Sequence, residues 1–139
     1  MTLKELSQLY YLNREIEQDK ERLEKLKSQA YTLPGPKMSD MPRGGAPEGS
    51  TIDRQVAEIV DLEAIIQAKI IQCLHERNRL ERYIADIPDS LTRMIFTLRF
   101  INGLSWLQVA YHVGGNNTGD SVKQACYRHL NRENEKREG

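Results

Sequence analysis

Apolar residues recur along this chain at alternating spacings of three and four, the period of a helix with one buried stripe. In the first stretch, Met1 to about Tyr31, the stripe is Leu9, Leu12, Ile16, Asp19, Leu23, Leu26 and Ala30. Asp19 is its one polar member, and no Gly or Pro interrupts the run. Thr2 with Glu5 forms a capping-box pattern at its start. A second run, from about Thr51 to Asp86, carries Ile52, Val56, Ile59, Ile66, Ile70, Cys73, Leu80 and Ile84, with Glu63 and Arg77 as polar breaks. Val60, Leu62, Ile65 and Leu74 widen its apolar face beyond a two-stranded seam. Ser50 with Asp53 is read as its cap. Neither helix can bury its stripe alone. The simplest architecture is a long antiparallel hairpin, coiled-coil-like, with the spare face covered by self-association or by the C-terminal part. The polar seam residues fit a device that sets register or orientation. Between the runs lies Leu33 to Ser50, with four prolines, four glycines and no period. It is read as a loop, and a solvated connector is a simpler role for its Lys37 and Arg43 than phosphate contact.

Beyond Asp86 the pattern changes to short pieces. Pro88 ends the long run, and Asp89 caps an apolar helix with Leu91, Met94, Ile95, Leu98, Phe100 and Ile101, which stops at Asn102-Gly103. Ser105 with Gln108 forms another capping box. Leu107, Val109, Ala110 and Val113 make one side of a short helix ending near Gly114. Trp106, the one tryptophan, is expected to pack on Phe96 or Phe100. A polar turn, Gly115 to Gly119, leads to a second helix that starts near Asp120 and runs past Leu130. Its buried side is Val122, Ala125, Cys126, His129 and Leu130. Its other side shows Ser121, Lys123, Gln124, Tyr127 and Arg128, all hydrogen-bond donors. Two helices joined by a turn and presenting donors suit the major groove of duplex DNA. A helical hairpin that only packs on the rest of the chain would show the same spacing. The fold expected is therefore all-α: a hairpin over 1–87, then a three-helix helix-turn-helix domain over 88–139.

Charge weakens one part of this picture. Lys plus Arg and Asp plus Glu number 20 each in 139 residues, so no global field attracts nucleic acid. From Asp89 to Gly139 seven basic residues face five acidic ones, a local excess of two. DNA affinity of a single copy is then modest and salt-sensitive. Cys73 and Cys126 are far apart and are read as buried, reduced thiols. The sequence shows no signal peptide and no bilayer-length apolar run, so the expectation is a cytoplasmic protein without a membrane partner. His75, His112 and His129 are scattered, and no nucleophile-base set or phosphate-cradling glycine motif is present. No enzyme activity, metal or cofactor is expected.

The segment from Ile87 to Gly114, followed by Asp120 to Leu130, resembles the region-four domain of sigma-70-type transcription factors. The matching residues are Arg99, Phe100, Gly103, Ser105, Val109, Ala110, Gly114, Val122 and Lys123. With the long charged helices in front, the chain is similar to the small sigma-like regulators of prophages in low-GC Gram-positive bacteria, including late-gene activators. The resemblance implies a sequence-specific transcriptional regulator of phage genes that binds double-stranded DNA. It also implies RNA polymerase as a further partner. One such motif reads only a few base pairs, so a homo-oligomer is expected, with a dimer favoured and the hairpin as its interface. Candidate DNA-binding residues are Ser105, Thr118, Ser121, Lys123, Gln124, Tyr127 and Arg128. Lys123, Gln124 and Arg128 would read bases or phosphates, Ser121 and Tyr127 would touch backbone, and Ser105 with nearby amides would hold a phosphate. Two features depart from the family. The turn before Asp120 is longer, and nothing upstream resembles the part of a sigma factor that melts promoters. A DNA-packaging recognition subunit, of the small terminase type, and a coiled-coil scaffold are the alternatives.

Overall fold

A computed structural model describes residues 1–31 and 48–138, with side chains at 1–30 and 51–138. The chain is all-helical, and the described residues contain no strand. Its helices are α1 (Leu3–Tyr31), α2 (Glu48–Ala85), α3 (Ser90–Phe96), α4 (Trp106–Val113) and α5 (Gly119–Glu138). A π-helical turn, Thr97–Ile101, continues α3. Lys37 and Arg43 lie outside the described residues.

The caps explain where most helices begin. At α1 the Thr2 amide donates to Glu5 (2.8 Å) and the Glu5 amide to Thr2 Oγ1 (3.2 Å). That contact with the Thr2 backbone holds the Glu5 carboxyl below its usual pKa. Asp89 accepts from both the amide and the hydroxyl of Thr92, at 2.9 and 2.7 Å, and caps α3. The second helix departs from the sequence reading, because it begins at Glu48, upstream of Ser50 and Asp53. At the end of α3 the π-helical turn brings the Asn102 amide to the Thr97 carbonyl (3.0 Å). Gly103 follows with φ +71°, which favours glycine, and the Leu104 amide closes on the Leu98 carbonyl at 3.1 Å.

The chain divides into two compact units, to which α1 and α2 both contribute. One is Arg14–Ile71. Here Ile16, Leu62 and Ile66 are buried. Lys69 donates to Asp19 at 2.6 Å and pairs with Glu15 at 3.1 Å, so the polar member of the first stripe has a charged partner. Those bonds hold the Lys69 pKa above its usual value. The stripe of α2 runs through buried Leu62, while Glu63, Ile52 and Val56 are exposed. Leu62 and Ile66 lie four apart on one face, and this register needs no polar break at Glu63.

The other unit joins Met1–Asn13 to Gln72–Gly139. Arg79 pairs with Glu5 (3.5 Å) and the Cys73 thiol donates to Asn13 (3.6 Å). Its core includes Met1, Leu6 and Leu9 with Leu80, Ile84 and Ile87, and Phe96, Val109, Val122, Cys126 and Leu130 from the C-terminal helices. Phe96 is fully buried, its ring 5.4 Å from those of Phe100 and His129. Tyr83 donates to Glu133, which also pairs with the Met1 ammonium at 3.1 Å. Burial raises the pKa of the Glu133 carboxyl, but the Tyr83 and Met1 bonds outweigh it, and the net direction is down.

Two outcomes follow from this core. Leu6→Ala is expected to destabilise the C-terminal helices by about 2–5 kcal/mol, as deletion of a buried leucine does. Urea unfolding followed by Trp106 fluorescence measures it, and an unchanged midpoint would place Leu6 outside the cooperative core. A carboxyl with a lowered folded pKa stabilises at higher pH and loses that contribution as pH falls through the folded value. The stability gap between wild type and Glu133→Gln is therefore expected to narrow as pH falls below the ordinary carboxyl value of 4.5. Asp89 and Glu5 shift in the same direction and are present in both proteins.

Candidate nucleic-acid interface

Helix α4 is set by its two ends. Ser105 Oγ accepts from the Gln108 amide (3.2 Å) and Gln108 Oε1 accepts from the Ser105 amide (2.9 Å). Val109 and Ala110 face the core. At the far end the Gly114 amide bonds the Ala110 carbonyl. Gly114 has φ +79° and ψ −161°. This is not the left-handed helical conformation common at helix ends but an extended positive-φ one that is essentially reserved for glycine. Gly115 follows at φ +67°.

The turn after Gly114 is held by side chains. Asn117 Nδ2 donates to the Gly114 carbonyl (3.0 Å), and the Ser121 hydroxyl lies 3.3 Å from Asn117 Oδ1 and 3.0 Å from the Thr118 carbonyl. Thr118, not Asp120, caps α5. Its amide donates to Ser121 Oγ (2.9 Å), and its Oγ1 accepts from the Ser121 amide (3.1 Å). Asp120 is exposed in the first turn, where a carboxylate complements the helix dipole. A Cβ at Gly119 would lie 3.6 Å from the Leu107 amide nitrogen, so the starts of α4 and α5 meet at van der Waals distance.

Burial divides α5 into two sides. Val122, Cys126 and Leu130 are buried. Burial pushes the Cys126 thiol up to about 12, so it stays protonated. Lys123, Gln124, Tyr127 and Arg128 are all exposed, and the structure brings these four together. The hydroxyls of Ser105, Thr118 and Ser121 are occupied in the caps of α4 and α5, away from that group in chemical role.

A row of rings and cations, not evident from spacing, runs beside these residues. Arg99 Nη1 donates to the Leu104 carbonyl (2.9 Å), and its guanidinium lies 4.5 Å from the centre of the Trp106 ring. Trp106 meets Phe100 edge-on at 6.5 Å and Tyr127 at 6.4 Å. The Lys123 ammonium lies 5.8 Å from the Tyr127 ring centre. Only the four-residue interval between Lys123 and Tyr127 is legible locally.

Among the described residues no group of three His, Cys, Asp or Glu side chains is placed to hold a metal ion. None of their helices is long and apolar enough to cross a membrane. Comparison with family models, curated proteins and solved structures finds no match for the chain. Gly114→Ala is expected to cost about 1–3 kcal/mol, because alanine is strained at that φ and ψ. Thermal unfolding reads the loss, and an unchanged Tm would mean the turn adopts another path.

Proposed function

We propose that α3, α4 and α5 form a helix-turn-helix that reads double-stranded DNA, and that the protein is a transcriptional regulator of the sigma-like phage type. One observation carries the reading. Lys123, Gln124 and Arg128 stand exposed on α5 while Val122, Cys126 and Leu130 on its other side are in the core. That is the division a major-groove helix requires, with donors available to base edges and phosphates. The positions that carry the resemblance agree with it. Arg99 closes on the Leu104 carbonyl, Gly103 and Gly114 take positive φ, Ser105 caps α4, and Val109, Ala110 and Val122 are buried.

A single motif reads few base pairs, so the proposal includes a homodimer. The two long helices would form the antiparallel hairpin that carries it. Within Arg14–Ile71, the α2 residues Val56, Val60 and Ile71 are each half exposed or more and recur on one helical face. RNA polymerase belongs to the same proposal as a partner of the DNA-bound regulator.

Lys123→Ala with Arg128→Ala is expected to weaken binding to a duplex selected by the wild-type protein. It should also flatten the plot of log affinity against log salt by about 0.9 for each phosphate contact removed. Identical affinity and slope for the double variant would remove this face from the interface. Light scattering is expected to give twice the 16.0 kDa chain mass. A ring of many subunits would favour DNA packaging instead.

A further inference from the structure

We infer that Trp106 and Tyr127 are positioning residues that aim Lys123, a role that rests on the DNA-binding reading above. Four groups follow one another in one row, two rings between a guanidinium and an ammonium: Arg99, Trp106, Tyr127 and Lys123. They come from three successive elements, the π-helical turn, α4 and α5. The inner end is fixed twice, since Arg99 both bonds the Leu104 carbonyl and covers the Trp106 ring. Trp106 is only partly buried and is gripped edge-on between Phe100 and Tyr127, at interplanar angles of 90° and 81°.

The course of α5 is already set by the side-chain bonds of the turn and by Val122, Cys126 and Leu130 in the core. What the row adds lies at the surface, where the edge-on contact of Trp106 holds the Tyr127 ring beside Lys123. Lysine has a flexible four-carbon stem, and a ring face one turn away restricts where its cation dwells. The ring of Tyr127, rather than its hydroxyl, is then the part that matters. This separates the role from a direct phosphate contact, in which the hydroxyl would be the donor.

The test is a cycle on the duplex selected by the wild-type protein. Tyr127→Phe keeps the ring and is expected to bind more tightly than Tyr127→Leu, whatever the hydroxyl itself contributes. Tyr127→Leu is expected to bind about fivefold more weakly, the scale of an exposed cation–ring contact. In a Lys123→Ala background the same leucine substitution is expected to cause no further loss, because the two residues act as a unit. In the free protein the Lys123 ε-methylene proton resonances are expected upfield in wild type and Tyr127→Phe, and at ordinary positions in Tyr127→Leu. Equal losses for phenylalanine and leucine would assign the effect to the hydroxyl and overturn the proposal. So would an undiminished leucine effect without Lys123, or ordinary Lys123 resonances in wild type. If Lys123→Ala with Arg128→Ala binds like wild type, the DNA-binding face itself is wrong and the positioning role falls with it. Should Tyr127→Leu fail to fold, Tyr127→Met replaces it in the same cycle.

Discussion

Burial of Phe96 is the contact on which the C-terminal helices depend. The ring is fully enclosed and touches those of Tyr83, Phe100 and His129, from α2, the π-helical turn and α5. Short helices such as α3 and α4 are too brief to persist alone, so their stability comes from packing. The same core takes in Met1, Leu6 and Leu9 from the beginning of the chain. The amphipathic α5, polar on its outward side, therefore rests on a platform assembled from both ends of the sequence. The exposed position of Lys123 and its neighbours is a consequence of that platform, since the phase of α5 is set by Val122, Cys126 and Leu130 entering it.

Local chemistry was legible at three helix starts, where one residue's side chain serves a neighbour three positions away. Thr2 with Glu5, Asp89 with Thr92, and Ser105 with Gln108 are such pairs, and their geometry needs no distant partner. The Thr118 cap of α5 is harder to see in the sequence, because Ser121, rather than Glu or Gln, stands three residues on. A hydroxyl can close the box as well, provided the turn brings it round. Leu6 was missed for a different reason. A stripe gives the phase of a helix but not how far along its length another element covers it, and the cover over Leu6 comes from residues far away in sequence. Leu62 was assigned to the margin of α2, and its burial shows that a wide apolar face leaves the register undetermined by spacing alone.

The candidate interface divides in the same way. Exposure of Lys123, Gln124, Tyr127 and Arg128 follows from helical period once the buried side of α5 is known. The row from Arg99 through Trp106 and Tyr127 does not, because each member belongs to a different element and the contacts are settled by tertiary packing. The π-helical turn adds to the difficulty. Its Asn102-to-Thr97 bond spans one residue more than an α-helical bond, so a strict α period misplaces Arg99 and Phe100.

Net neutrality of the whole chain is compatible with the proposed DNA-reading face, because a phosphate senses mainly the charges nearest to it. Charges farther apart than about 8–10 Å are largely screened at ordinary ionic strength. Within Arg14–Ile71 the Lys69 ammonium offsets one of the two charges of Asp19 and Glu15. What a phosphate senses is the composition of the nearest turns, and on α5 that includes Lys123, Arg128 and the opposing carboxylate of Asp120. Such a mixture gives little attraction to DNA of arbitrary sequence. A reader of this kind has to obtain its affinity from well-placed contacts and from a second copy, so the aim of each cation matters more than the number of cations. On such a surface, rings that restrict a lysine are worth more than an additional unrestrained lysine would be.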